Sequence, residues 1–341
     1  MNDEKETKKI EQNQIAISKE LEKVLSSKPP SVFRLFMREL KYDKFAAISI
    51  IVLIFIFASI FILTPFINAN YNIMNVDLPN RNLPPSQARG LYSTYIPNFN
   101  PNIESIPPEP FGFLGINFGT NDLGRDITRL TIVGARNSLI ITLLVTFFSF
   151  ILSLIVGVAS GFYGGHTDNI IMRIIDTWSM IPTIMFLIAV ISTTAELTMP
   201  LFIFLLVIVT WVGRTRLFRA AALQNRNMDY ISASKTLGTR NIVIIFREMM
   251  PNLVDVIMPN FVLTLAANVG IEVGLTILGF GLGWDTPTLG TLINQATDPG
   301  NLQLRPWVWA PAISLVAILT LCIHFVGTAL QRVSDPKQRY A

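Results

Sequence analysis

Residues 229–252 read Asp-Tyr-Ile-Ser-Ala-Ser-Lys-Thr-Leu-Gly-Thr-Arg-Asn-Ile-Val-Ile-Ile-Phe-Arg-Glu-Met-Met-Pro-Asn. This polar, basic segment lies between two long apolar runs. Its pattern is that of two short helices joined at Gly238. Asn227 or Asp229 is expected to cap the first, and Gly238 to end it in a left-handed turn. Asn241 is expected to cap the second, with Pro251 closing the pattern. A helix-Gly-helix elbow on the charged side of an otherwise apolar chain suits docking of a soluble partner.

The chain is 51% hydrophobic and 15% charged over 341 residues, with a mean hydropathy of +0.48. A soluble globular domain carries about a quarter charged residues. The apolar excess lies in blocks rather than in alternation, which is the signature of a membrane protein. The net charge of +4 does not point to nucleic acid, because the basic residues flank apolar runs and no aromatic-interleaved basic patch exists. The lone cysteine, Cys322, lies inside an apolar run. It excludes a disulfide framework and a cysteine metal site. His166 and His324 fall in different segments, so neither a metal site nor a catalytic triad is expected, and no cofactor is assigned to this chain.

A membrane-spanning helix needs about 20 apolar residues, each rising about 1.5 Å. Six runs answer to this: 45–67, 139–162, 170–193, 201–212, 253–280 and 308–330. The third carries Asp176 near its start and Pro182 within it, the fourth is short, and the fifth holds Asp255 and Glu272. The expectation is an all-α membrane protein of six spans. A polar stretch of about 40 residues precedes the first run, so that run is a span rather than a secretory signal. Residues 1–44 are expected to form a tail, with some helix over 15–25.

Orientation follows from the positive-inside rule. Arg34, Arg38, Lys41 and Lys44 precede the first span. Six spans then place both termini, the 332–341 tail and the basic 227–252 loop in the cytoplasm. Arg125, Arg129 and Arg136 depart from the rule, clustering before the second span on the outer side. Residues 68–131 are rich in Pro, Asn and Gly and read as a folded external loop, with 283–306 a shorter one. Asp126 and Arg129 are three apart, a spacing that pairs on one helical face. With Arg125 they are candidates to anchor the loop or to touch a docking partner.

Several segments, in order, resemble the C-type permease subunit of oligopeptide and dipeptide ABC importers. Residues 118–126, Phe-Gly-Thr-Asn-Asp-Leu-Gly-Arg-Asp, resemble that family's Leu-Gly-Thr-Asp-x-x-Gly-Arg-Asp. Gly134-Ala135-Arg136-Asn137-Ser138-Leu139 is similar to its Gly-Ala-Arg-x-Ser-Leu. Residues 161–176 resemble Gly-Tyr-x-Gly-Gly followed by Asp-x-x-x-Met-Arg-x-x-Asp, and 272–281 resemble Glu-x-x-Leu-x-x-Leu-Gly-x-Gly. Ser334-Asp335-Pro336-Lys337 is similar to Leu-Asp-Pro-Arg. The elbow resembles the family's cytoplasmic "EAA" coupling loop. There, Ser232-Ala233-Ser234 stands where the family has Glu-Ala-Ala, while Tyr230, Lys235 and Gly238 are kept. Asn121 replaces the usual Asp.

The resemblance implies a domain order: tail 1–44, first span 45–67, external loop 68–131, a five-helix core 132–331 and tail 332–341. It implies a transport subunit in a bacterial plasma membrane, working with a second related permease, two ATPase chains and an extracytoplasmic peptide-binding protein. No Gly-x-x-x-x-Gly-Lys-Ser/Thr motif occurs in the chain, so ATP and Mg are expected on the partner ATPases. Tyr230, Ser232, Ala233, Lys235, Gly238 and Phe246 are the candidate coupling residues. Asp176 and Glu272, acids in apolar runs, either line the peptide path or act as buried structural partners, Asp176 through Arg173. Gly157, Gly161, Gly270 and Gly274 are spaced for close helix packing. Pro182 is expected to kink a span, and Trp178, Trp211, Trp307 and Trp309 to sit in interfacial belts. Two other readings stand beside this one: a permease for nickel or a metal chelate, and an ATP-independent secondary transporter. The second lacks an evident inverted repeat or a chain of intramembrane acids.

Overall fold

A computed structural model describes residues 32–66, 81–82, 84–85 and 118–334. The tail with its proposed 15–25 helix, most of the 68–131 loop and the Asp335-Pro336-Lys337 motif lie outside the described residues. The described residues are mostly helical, without a strand; an isolated bridge joins Thr120 to Asp126.

Helix α1 (Val32–Tyr42) leads into α2 (Lys44–Leu63). Asp43 separates them, its Oδ1 accepting the amides of Phe45 at 3.0 Å and Ala46 at 3.1 Å. That capping amide of Ala46 holds the Asp43 carboxyl below the usual aspartate range, with Arg332 adding to the effect. Helix α3 (Ile127–Tyr163) is 37 residues long. It is therefore far longer than the apolar run 139–162, and residues 127–131, read as loop from the sequence, are its first turns. Asp126 starts it by accepting the Thr128 amide at 2.8 Å. Arg129 and Thr131 are buried against neighbouring elements, so tertiary packing extends the helix where hydropathy does not.

The third and fourth apolar runs are broken. Helices α4 (Gly165–Ser179) and α5 (Thr183–Ser192) meet at 71°, with Pro182 as the cap of α5. Helices α6 (Met199–Thr210) and α7 (Val212–Arg226) meet at 46°. Ser153 of α3 donates to the Trp211 carbonyl at this second break, at 2.5 Å. Thr215 of α7 donates to the same carbonyl at 3.0 Å, so two hydroxyls meet at the bend. Among the described residues, four helices are long and apolar enough to span a bilayer alone, and up to six spans result if each bent pair counts as one.

The elbow follows: α8 (Asp229–Thr236), α9 (Asn241–Val243), a π-helical turn at Ile244–Met249 and α10 (Met250–Asn252). Next come α11 (Val254–Ile277), α12 (Leu289–Asn294), α13 (Pro299–Leu304) and α14 (Ala310–Ser334). Pro251 does not close the elbow. The π-helical turn just before it shifts the backbone register where proline lacks an N–H, and only Leu253 then separates α10 from α11.

Helix α3 is the spine, contributing to all three apolar clusters. At one end Leu130, Val133 and Leu139 pack with α2, α11, α12 and α14. In the middle Ile141 and Val145 meet α5 and α6. At the other end Phe150, Val158 and Phe162 meet α7 and the elbow. Helix α7 crosses α3 at Gly157 and Gly161, where a Cβ would come within 2.6 Å of the Thr215 and Arg219 carbonyls respectively. A Cβ at Gly270 or Gly274 would meet nothing within 4 Å, so the second pair does no such packing within this chain.

Candidate functional site

The elbow is held in place by contacts that can be read residue by residue. Gly238 has φ +76°. Its N–H donates to the Lys235 carbonyl at 3.0 Å, and Thr239 N–H to the Ser234 carbonyl at 3.1 Å. This pair of reversed bonds is a Schellman cap, which satisfies the carbonyls that α8 leaves open. The start of α8 differs from expectation. Met228, not Asn227 or Asp229, is the N-cap, in extended conformation and without a side-chain bond. The reason is space: Asn227 already ends α7, so one residue is left for the cap. Likewise Arg240, not Asn241, caps α9, because the Schellman turn runs through Thr239.

Three buried residues, Ile231, Ile244 and Met249, root the elbow against α3 and α7. Tyr230 OH donates to Asn225 Oδ1 at 2.9 Å. Lys235 Nζ lies 4.9 Å from the centre of the Phe162 ring, tying α8 to the end of α3. Ser234 Oγ donates to Glu248 Oε2 at 2.6 Å, linking the two limbs. Ser232 and Ala233 are exposed on α8. The crest is apolar: Leu237 is 84% exposed, Phe246 65% and Ile242 61%. Leu237 and Ile242 escaped the sequence reading. Their signal was available, since large apolar residues beside the turn glycine of a polar loop have no local partner to bury them.

The remaining candidates separate. Glu272 is completely buried on α11. Ser138 of α3 donates to its Oε2 at 3.1 Å, and Thr276 to its Oε1 at 3.4 Å. Ser138 Oγ also accepts the Leu289 amide at 3.0 Å, at the start of α12. Asn137 Nδ2 donates to the Pro287 carbonyl at 2.8 Å. The acid therefore fastens the 283–294 segment to α3 and α11. Asp176 is different. Its side chain is 57% exposed and its partner is Arg216 of α7 at 2.7 Å, not Arg173. The bend after α4 leaves the pair exposed on the surface of this chain.

A buried acid that the sequence did not single out is Asp168. Arg219 reaches it with two bonds, 2.5 and 2.6 Å, and Ser160 donates at 2.5 Å. This bidentate pin ties α3, α4 and α7 together beside the elbow. On the opposite end of α3, Asp126 and Arg129 lie 3.5 Å apart. Asn121 is buried, and its Oδ1 accepts the amides of Leu123 at 3.0 Å and Arg125 at 2.9 Å. An Asp would accept the same two bonds, so this departure from the resembled motif preserves the turn. Trp307 Nε1 donates to the Thr120 carbonyl at 3.3 Å, holding the turn against the later external segment. Among the described residues, no group of three or more His, Cys, Asp or Glu is placed to hold a metal ion.

The described residues thus define a helical membrane protein with an apolar-crested elbow beside its bent spans. Residues 153–340 match the family described as binding-protein-dependent transport system inner membrane component, and residues 31–85 match the N-terminal TM domain of oligopeptide transport permease C. The chain belongs to the binding-protein-dependent transport permease family. It is 36% identical over 300 residues to the oligopeptide transport system permease protein OppC of Lactococcus lactis subsp. cremoris (strain SK11), covering 88% of this chain and 93% of that one. It is 28% identical to the dipeptide transport system permease protein DppC of Bacillus subtilis (strain 168), covering 89% and 85%. A solved inward-facing structure of the MetNI methionine ABC transporter shares the fold, with a TM-score of 0.51 at 22% identity over 61% of this chain and 98% of that chain.

Proposed function

We propose that this chain forms half of the translocation path of a bacterial ATP-binding-cassette importer for oligopeptides or dipeptides. A second related permease supplies the other half. Two separate ATPase chains bind ATP and Mg, and an extracytoplasmic binding protein delivers the peptide. Both termini and the elbow face the cytoplasm, and the 68–131 and 283–306 segments help to form the outer docking surface. Arg125, Asp126 and Arg129 anchor the first of these.

The observation that carries the reading is the elbow. Its apolar crest of Leu237, Ile242 and Phe246 is exposed, yet its base is rooted in the bundle. A push on the crest is passed to α3 and α7 through packed side chains rather than absorbed by a flexible loop. ATP-driven closure of the ATPases would thereby bias the bundle between inward-open and outward-open packings. Ser232 at the position of the family's acidic residue removes one charge from this contact. The crest and Lys235 remain to carry it, since the core of such an interface is apolar. Peptide cargo is supported by the names of the relatives. The metal-chelate and secondary-transport readings gain no support from them.

The test is uptake by proteoliposomes holding the assembled importer and its binding protein. Labelled oligopeptide should accumulate only with ATP inside. Accumulation that is indifferent to ATP but follows an imposed ion gradient would replace this reading with secondary transport.

A further inference from the structure

The start of α2 and the end of α14 enclose a surface pocket of about 880 Å³ that the transport reading leaves without a role. Its wall is built by one arginine. Arg332 bonds Asp43 and lies 3.8 Å from Glu39, so it joins α14 to the α1–α2 corner; both acids also line the pocket, and Arg332 with Lys44 balances them. Its apolar side is a stacked pair: Phe45 and Phe325 have ring centres 5.9 Å apart at an interplanar angle of 24°. Phe45 is 71% exposed and Phe325 39%.

Above this pair the character changes. Lys44 lines the pocket, and Arg38 and Lys41 are exposed on the helix before it. Arg38, Lys41 and Lys44 have no ion pair among the described residues. Tyr42 and Gln331 add polar groups to the rim. Below the pair, Ile48 lies one turn along α2 and Leu321 one turn back along α14. Both are more than half exposed, at 58% and 56%. Residues three and four apart share a helix face, so the apolar side of the pocket continues as a groove along the two spans.

A ligand for this site carries negative charge at one end and hydrocarbon at the other. We infer that the pocket binds an anionic phospholipid, its headgroup phosphate against Lys44 of the lining and drawn by the excess cations Lys41 and Arg38 on the helix before it, its acyl chains lying along Phe45, Phe325, Ile48 and Leu321. A soluble phosphate would satisfy the cations and leave the groove unused. A zwitterionic lipid would fill the groove with little response to the charge. Basic pockets between transmembrane helices select anionic headgroups on this physical basis. The site joins the first and last spans, so its occupant would brace α2 against the rest of the bundle.

The full-length protein, extracted in detergent, is titrated with phosphatidylglycerol or phosphatidylcholine and the retained lipids are counted by native mass spectrometry. The wild type should retain one phosphatidylglycerol in clear preference to phosphatidylcholine. Lys41→Gln with Lys44→Gln should weaken that retention about tenfold or more, leaving phosphatidylcholine unaffected. Phe325→Ala should weaken both lipids. Equal retention of the two lipids by the wild type, a comparison that needs no variant, would overturn the inference. So would unchanged retention in the double lysine variant. Displacement by inorganic phosphate at matched concentration would reassign the site to a soluble anion. If removal of residues 2–30 is required before any lipid binds, the occupant is the chain's own N-terminal segment and the lipid assignment fails.

Discussion

Gly238 is the residue on which the elbow turns. Its φ of +76° lies in the left-handed region, and a Cβ there would meet nothing within 4 Å. A substitution therefore costs backbone strain alone, on the order of 1–2 kcal/mol, and more for a β-branched side chain. Gly238→Val is expected to break the Schellman turn and splay α8 from α9, so that uptake and substrate-stimulated ATP hydrolysis fall together. Gly238→Asn, which tolerates this conformation, should retain most of both activities. Measurement of the two activities at matched expression decides it: a valine variant that transports normally removes the elbow from the mechanism. Ser232 has a different character. It is exposed, and Glu248, on the second limb, is already held by Ser234 at 2.6 Å. That carboxylate is bonded within the elbow, so it is not a ready substitute for an acid at position 232.

At the scale of elements, the crossing of α3 and α7 holds the elbow end of the molecule together. Its closeness depends on Gly157 and Gly161, where a Cβ would lie 2.8 Å from Phe218 Cβ and 2.7 Å from Ala222 Cβ respectively. The neighbouring atoms belong to backbone or to Cβ positions, which cannot rotate away. Gly161→Val should force α7 outward, lengthen the Asp168–Arg219 pin and destabilise the protein by about 1–3 kcal/mol. Thermal unfolding in detergent should show a clear fall in midpoint for this variant. Gly274→Ala, at a position with open space around it, should leave the midpoint unchanged. Equal behaviour of the two would mean that α7 is not seated by the glycine contact. The same logic explains the broken spans. Pro182 marks one bend in the sequence, whereas the bend at Trp211 is stabilised by a hydroxyl from another helix, Ser153, which no local pattern reveals.

For the molecule as a whole, the decisive question is which way it faces. On the positive-inside rule, the proposed orientation has the elbow in the cytoplasm and the 68–131 loop outside. Ser232→Cys and Asn102→Cys, each in a Cys322→Ser background, should differ when intact cells meet an impermeant thiol reagent. Labelling is expected at position 102 and not at 232, and the opposite result would invert the orientation. Cys322 is buried in α14, so its replacement by serine removes background with little change in bulk.

The sequence alone determined the membrane class, the number of apolar runs, the elbow with its glycine, and the family resemblance. Each of these depends on local composition or short spacing: about 20 apolar residues for a span, or one residue able to take a positive φ. Helix caps were less legible. Met228 and Arg240 occupy the positions expected of Asn227 or Asp229 and of Asn241, because the lengths of neighbouring turns decided which residue fell at each boundary. Only the tertiary structure decided the partners of the acids. Asp168 pairs with Arg219, 51 residues away; Glu272 accepts from Ser138, 134 residues away; Asp176 turns to Arg216 rather than to Arg173. A charge in an apolar run advertises its need for a partner, but the partner is chosen by which helices cross beside it. That choice belongs to the packing of glycines, bends and apolar clusters across the whole chain.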